Sequence, residues 1–374
     1  MMKKVLALIL VGLLALSVVS CGDKKEDEEK KDESSVVEQN YIEETANKGK
    51  FEYALNSEGD YEIIKYEPYA IAAADVTLPS EVNGRDIVGI AENAFKAENS
   101  IKTVTVPATY KYISDYAFYD CDSLTSISLP AGMESIGKGA FESCDVLADF
   151  KLPQGVTEIS EYAFKDCKAI TSMDLSKVAK IQKGAFLNCS KLASLTVSDS
   201  IEYATKDAFY GCDALVYNEE GELRYLGNDA NKTVLLVAPK TLNVTDCAVS
   251  ATTKVIADAA FRDCQYLTKI TLADSVKVIN GTSFAGCEEL EYNESENGLY
   301  LGTEDNPYMV LVGLDVTSKE DFTLNKDTKI IADTAFAGCT VLKDISYAGT
   351  EDAWKAIIKS ENWSGDLVIN VVFG

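Results

Sequence analysis

The sequence predicts an α/β solenoid: a right-handed stack of about nine coils of 22–23 residues, with two β-hairpin inserts and a cap at each end. Three observations carry this expectation. First, a Phe motif, best seen as Ala-Phe-x-x-Cys, places Phe95, Phe118, Phe141, Phe164, Phe186, Phe209, Phe261, Phe284 and Phe336 at steps of 23, 23, 23, 22, 23, 52, 23 and 52. Second, each unit divides into halves of different periodicity. Third, the two long steps share a second pattern, offset by 75 residues. Self-similarity at such a period is the mark of stacked repeats, each too small to cover its own apolar face.

One full unit runs from Ile113 to Ser135, ISDYAFYDCDSLTSISLPAGMES. Ala117, Phe118 and Cys121 fall on one face of a short helical or 3₁₀ turn. Ile127 and Leu129 then alternate with Ser126 and Ser128, a period of two that reads as a short strand with the serines outward. Pro130 ends the ladder and Gly132 favours a turn. Phe118, Phe141, Phe164, Phe186, Phe209, Phe261, Phe284 and Phe336 are therefore expected to form a structural spine.

Eight cysteines stand three residues after a Phe, from Cys121 to Cys339. With no Cys-x-x-Cys pair and no histidine, no metal is expected. The ladder is expected to pack inward as free thiols. Disulfides between neighbouring coils are the alternative in an exported protein. Cys247 falls off the ladder.

Segments 215–237 and 290–312 carry the 75-residue super-repeat. Leu299 to Gly302 and Tyr308 to Val312 read as two strands around TEDNP, a hairpin that protrudes from or extends a coil. Tyr225, Tyr300 and Tyr308 are its candidate binding residues; an elaborated loop with no recognition role is the alternative. Ahead of the repeats, Asn83-Gly84 marks a hairpin in a β-rich cap. Behind them, Trp354 and Ile357 suit a short helix and Leu367 to Phe373 a closing strand.

The chain starts MMKKVLALILVGLLALSVVSCG. Lys3 and Lys4 precede an apolar run, Val5 to Leu16, too short to span a bilayer. Its end, Val18-Val19-Ser20-Cys21, resembles the lipobox of bacterial lipoproteins, with Val18 where Leu is commoner. The resemblance implies a diacylglyceryl group on Cys21, with acyl chains as the only membrane attachment. The charged, apolar-poor stretch after it reads as a tether. The expected organisation is a lipoprotein signal peptide over 1–20, lipidated Cys and tether over 21–50 and an N-terminal cap over 51–93. The solenoid covers 94–345, with inserts near 216–250 and 291–327, and a C-terminal cap covers 346–374.

The formal net charge is −25, and the residues beyond 50 carry −23 of it. Such a field repels phosphate backbones, so nucleic acid is not an expected partner. The absence of histidine removes the commonest general base. No unit departs from the repeat to present a distinctive nucleophile or acid pair, so no catalytic residue and no cofactor are expected.

The units A-F-x-x-C-x-x-L-x-x-I-x-L-P-x-x-V-x-x-I-G, with VTLPSEVNGRDIVGI, GLYLGTEDNPYMVLVG and YAGTEDAWKAI, resemble the BspA-like, or treponemal-type, leucine-rich repeats of bacterial surface proteins. The resemblance spans roughly 60–374. It implies a leucine-rich-repeat fold, residence in the cell envelope and, in some members, adhesion to host proteins, matrix or other microbes. The expected function is a lipid-anchored, extracytoplasmic monomer displaying its solenoid to a protein or glycoprotein partner. A structural spacer without a specific ligand is the alternative. Outward strand residues, among them Ser126, Ser128, Lys151, Asp174, Thr196 and Lys269, are candidate contacts alongside the insert tyrosines.

Overall fold

The computed structural model describes residues 41–44, 49–69, 74–227, 231–237, 245–359 and 363–374. Cys21, the signal peptide and most of the tether lie outside them. The described chain is mostly strand, wound as a β-solenoid of about 13 turns. The count exceeds the Phe motifs because cap and insert segments add coils without that motif.

Each regular coil contributes to two parallel ladders. The long-strand ladder contains the strands read from alternation. Ile101–Thr105, Ser126–Ser128 and Asp149–Phe150 align with Thr103 opposite Ser126 and Ser126 opposite Asp149. Ser172–Leu175 pairs with Ser194–Val197, and Asp246–Ala248 with Lys269–Thr271. Asp321–Leu324, Asp344–Tyr347 and Asn370–Phe373 close the stack. Inward positions such as Ile127 and Ile270 are buried while Ser128 and Lys269 are exposed, as a half-buried pleat requires.

A second ladder is built from strands of two residues, such as Tyr112–Ile113, Ser135–Ile136, Glu158–Ile159 and Lys180–Ile181. In each of these the second residue, isoleucine, is buried. Two residues are too few for a period to show in sequence.

The helical half-unit is corrected to a corner of turns. Among the described residues, a 3₁₀ segment forms only at Lys206–Phe209 and an α-helix only at Glu351–Ala356. The reason lies in where the amides go. Phe118 N–H donates to Ala140 O at 2.8 Å, Phe141 N–H to Ala163 O at 2.9 Å and Phe186 N–H to Ala208 O at 2.8 Å. These donors serve the next coil instead of their own turn, so each corner is hydrogen-bonded along the stack. Left-handed residues flank several corners on both sides, Tyr116 (φ 55) and Asp120 (φ 62) in one and Tyr162 (φ 56) and Asp166 (φ 60) in another.

The Phe rings stack with centroids 4.8 Å apart for Phe95 and Phe118, 5.3 Å for Phe118 and Phe141, and 5.7 Å for Phe141 and Phe164. The stack continues through Phe186 to Phe209, each step 5.6 Å. It is not continuous to the end. Phe261 stacks on Phe284 at 5.4 Å, but among the described residues no ring stack joins Phe209 to Phe261 or Phe284 to Phe336. Phe336 instead meets Phe322 and Trp363 edge-on. Both interruptions fall where an insert enters.

The nine described cysteines are buried free thiols. Their position has a polar reason as well as a steric one. Cys121 Sγ–H donates to Phe95 O at 3.1 Å, Cys144 to Phe118 O at 3.1 Å and Cys167 to Phe141 O at 3.0 Å. Cys247 has a different place: it fills the inward strand position opposite Ile270.

Each insert is a three-stranded antiparallel meander whose last strand rejoins the solenoid. Gly298–Leu301 pairs antiparallel with Asn293–Ser295 and Val310–Leu314. Val310 and Leu311 then align in parallel with Ile330 and Ile331. The first insert repeats this with Val234 and Leu235 against Val255 and Ile256. The inserts thus extend the wall.

The N-terminal cap begins earlier than expected. Tyr41–Glu44 pairs antiparallel with Gly49–Leu55, and Lys50 stands 4.4 Å from the Tyr41 ring centroid. Residues assigned to the tether up to 50 therefore belong partly to the cap. At the far end, Thr350 caps the helix, and Trp354 and Trp363 pack edge-to-face at 5.8 Å. The closing strand is Asn370–Phe373, shorter than expected.

Candidate interaction surface

Period-two strands decide which side chains reach solvent. Ser128, Lys151, Asp174, Thr196 and Lys269 are exposed and Ser126 is half-buried, all along the long-strand ladder. Parallel register turns them into rows. Ser126 lies between Thr103 and Asp149, Ser128 beside Thr105, and Asp174 beside Thr196. Lys269 stands opposite Asp246, with the charges 3.8 Å apart. The face is flat and built from small or charged residues.

Two tyrosines assigned to this role are corrected. Tyr225 and Tyr300 are fully buried. Their hydroxyls accept from the backbone N–H of Ser250 at 3.2 Å and of Asn325 at 3.1 Å. Burial raises the Tyr300 phenol above its usual range. Each ring is a core residue whose polar tip satisfies a loop amide, so neither reaches a partner. Tyr308 is half-buried, edge-on to Tyr300 at 5.7 Å. The exposed aromatics are elsewhere. Tyr210 is 73 % exposed and Tyr266 57 % exposed. Their signal was available, since both occupy non-core positions just after the Phe motif.

A second feature follows the 23-residue step. Lys138 reaches Glu161 at 2.7 Å, Lys165 reaches Glu142 at 2.8 Å and Lys168 reaches Asp145 at 2.8 Å. The Glu142 carboxylate, itself largely covered, holds the Lys165 ammonium above its usual range through their hydrogen bond. Opposite charges at equal repeat positions stitch neighbouring coils together. None of these pairs suggests catalysis, and among the described residues no Cys, Asp and Glu cluster could hold a metal ion. Burial pushes the Cys247 thiol up to about 11, which keeps it protonated and unreactive near neutrality. Among the described residues no helix is long and apolar enough to cross a membrane.

The profile of the BspA type leucine rich repeat region matches residues 88–216, 239–302 and 315–353, in six copies. The chain belongs to this family. Several bacterial leucine-rich repeat proteins of known structure are similar to it. A T. pallidum leucine-rich repeat protein is 26% identical, with 58% of this chain and 87% of that one covered and a TM-score of 0.45. A leucine-rich cell surface protein of Faecalibacterium prausnitzii is 20% identical over 86% of this chain and 98% of its own, with a TM-score of 0.38. The pneumococcal vaccine antigen PcpA is 16% identical over 89% and 93%, with a TM-score of 0.34. No curated protein matches the chain.

Proposed function

We propose that this BspA-type chain is a cell-surface lipoprotein, anchored through Cys21, that presents its solenoid as a protein-interaction or adhesion module. The observation that carries the reading is the long-strand face. It offers rows of outward side chains in fixed register on a rigid stack, the form of surface that solenoids use for binding. Family membership and a lipobox-like leader support it. The chain acts without chemistry of its own: its repeated residues are structural, and its buried thiols are not nucleophiles. The acidic field recruits a basic partner and screens away anionic ones.

The flat strand face lacks the aromatic anchors that dominate tight interfaces, so Tyr210 and Tyr266, exposed in the turns beside it, are the strongest candidate aromatic contacts. The test is binding of the purified protein to a panel of matrix proteins, mucins and envelope fractions at two salt concentrations. Saturable binding that weakens with salt and with Tyr210→Ala is expected. Absence of saturable binding to every member of the panel would favour the spacer reading.

A further inference from the structure

Asparagine is followed by glycine at Asn83-Gly84, Asn280-Gly281 and Asn297-Gly298. The pairing carries a chemistry of its own. Glycine has no Cβ to shield its backbone nitrogen, so that nitrogen can reach the carboxamide carbon of the asparagine before it. The reaction requires both groups to be unengaged and the local backbone to turn. The fold treats the three steps differently.

Two of them are held. Asn280 is buried, and its Oδ1 accepts from Ala204 N–H at 3.3 Å while its Nδ2 donates to Glu202 O at 3.3 Å, which fixes the carboxamide. Gly281 N–H is itself taken by Asp333 Oδ2 at 3.4 Å. Asn297 is half-buried, and its Nδ2 donates to Val316 O at 2.9 Å. Gly298 is buried in the strand Gly298–Leu301, paired with Ser295 on one side and Leu314 on the other.

Asn83-Gly84 is not held. Both residues are exposed at the tip of a tight hairpin, where Val82 pairs with Arg85 and Glu81 with Asp86. Both are left-handed, Asn83 with φ 53 and Gly84 with φ 72, as the tightest hairpin turn demands. Among the described residues, neither the Asn83 carboxamide nor the Gly84 N–H has a hydrogen-bond partner. Nothing stands within 4 Å of the place a Gly84 Cβ would take. The arm Glu81–Val82 is short, so opening the tip breaks few bonds. Beneath it, Ile87 N–H stays on Ser80 O at 2.9 Å.

We infer that Asn83 is a site of self-modification, where the folded protein converts its own asparagine to isoaspartate and aspartate. The Gly84 nitrogen loses its proton to solvent base and attacks Asn83 Cγ. The Cγ–Nδ2 bond breaks and ammonia leaves, which closes a succinimide ring. Water then opens the ring. Attack at Cγ restores an ordinary backbone with aspartate. Attack at the α-carbonyl leaves the chain running through Cβ and Cγ as isoaspartate. The net change consumes one water and releases one ammonia. The product is a carboxylate beside the exposed Glu81 and Asp86, and like charges so placed repel. The iso form also adds a methylene to the backbone of the tightest hairpin loop. Both effects open this tip of the N-terminal cap. The inference goes beyond the protein-binding reading and does not rest on it.

The test is peptide mapping by mass spectrometry of the purified protein held in mildly alkaline buffer and sampled over time, beside the same protein unfolded in guanidinium chloride. In the unfolded chain all three steps are free and should convert at similar rates. In the folded protein the peptide bearing Asn83 should become one mass unit heavier and turn into a substrate for isoaspartyl methyltransferase. The peptides bearing Asn280 and Asn297 should lag it by about tenfold or more, since freeing those groups means opening the stack. Asn83→Gln should abolish the change, because the longer side chain would have to close a larger ring, and an unchanged melting temperature checks that this variant folds. Amide exchange in the aged wild-type protein should rise over 81–86. Conversion of Asn280 or Asn297 as fast as Asn83 in the folded protein, or an Asn83 that stays intact while the unfolded chain converts, would overturn the inference.

Discussion

Phe141 shows what a single repeat position does. Its ring lies between Phe118 and Phe164 and also meets Phe150 edge-on at 5.2 Å. Phe141→Ala should therefore cost about 3–5 kcal/mol, read as a lowered urea midpoint against wild type. The Phe and Cys positions were legible because their spacing recurs. What the thiols do was not legible, since Cys121, Cys144, Cys167, Cys189, Cys212 and Cys287 donate to carbonyls 25 or 26 residues earlier, partners no local pattern names. Tyr225 and Tyr300 misled for a related reason. A tyrosine in a turn-rich insert suggests a surface anchor. These two hydroxyls instead satisfy amides 25 residues downstream, which lets the rings be buried.

At the scale of elements, the long strands were readable and the two-residue strands were not. The corners read as helical turns because Ala-Phe-x-x-Cys has helical spacing. Alternate amides, however, bond along the stack while those between them close local turns, which interrupts any intrahelical ladder. The core divides at the second insert, while the first insert packs within one continuous cluster. A separate apolar cluster gathers Tyr300, Phe322, Phe336, Ile345 and Trp354, apart from the cluster that runs from the N-terminal cap to Met309 and Val310. Phe336→Ala should raise amide exchange in Asp321–Leu324 and Asp344–Tyr347. The amides of Phe118 to Phe186 should keep their protection. Hydrogen-exchange mass spectrometry checks this. Equal loss along the whole stack would show one undivided cooperative unit.

For the molecule as a whole, buried phenols set the alkaline limit. Burial pushes Tyr66, Tyr112, Tyr217 and Tyr292 up to about 12, against about 10 in an unfolded chain. Between those values the unfolded chain releases protons that the native state keeps, so stability falls as pH rises. The urea midpoint should drop across that window, and the part of the phenolate absorbance that belongs to these covered rings should appear only as the protein unfolds. The net charge of −25 is legible from composition alone. The proposed function requires this stack to be displayed outside the cell. Protease added to intact cells producing the chain tests it directly. Display predicts that the solenoid is cleaved without lysis, while a cytoplasmic protein in the same cells survives. A solenoid that resists until the cells are broken would contradict the claim.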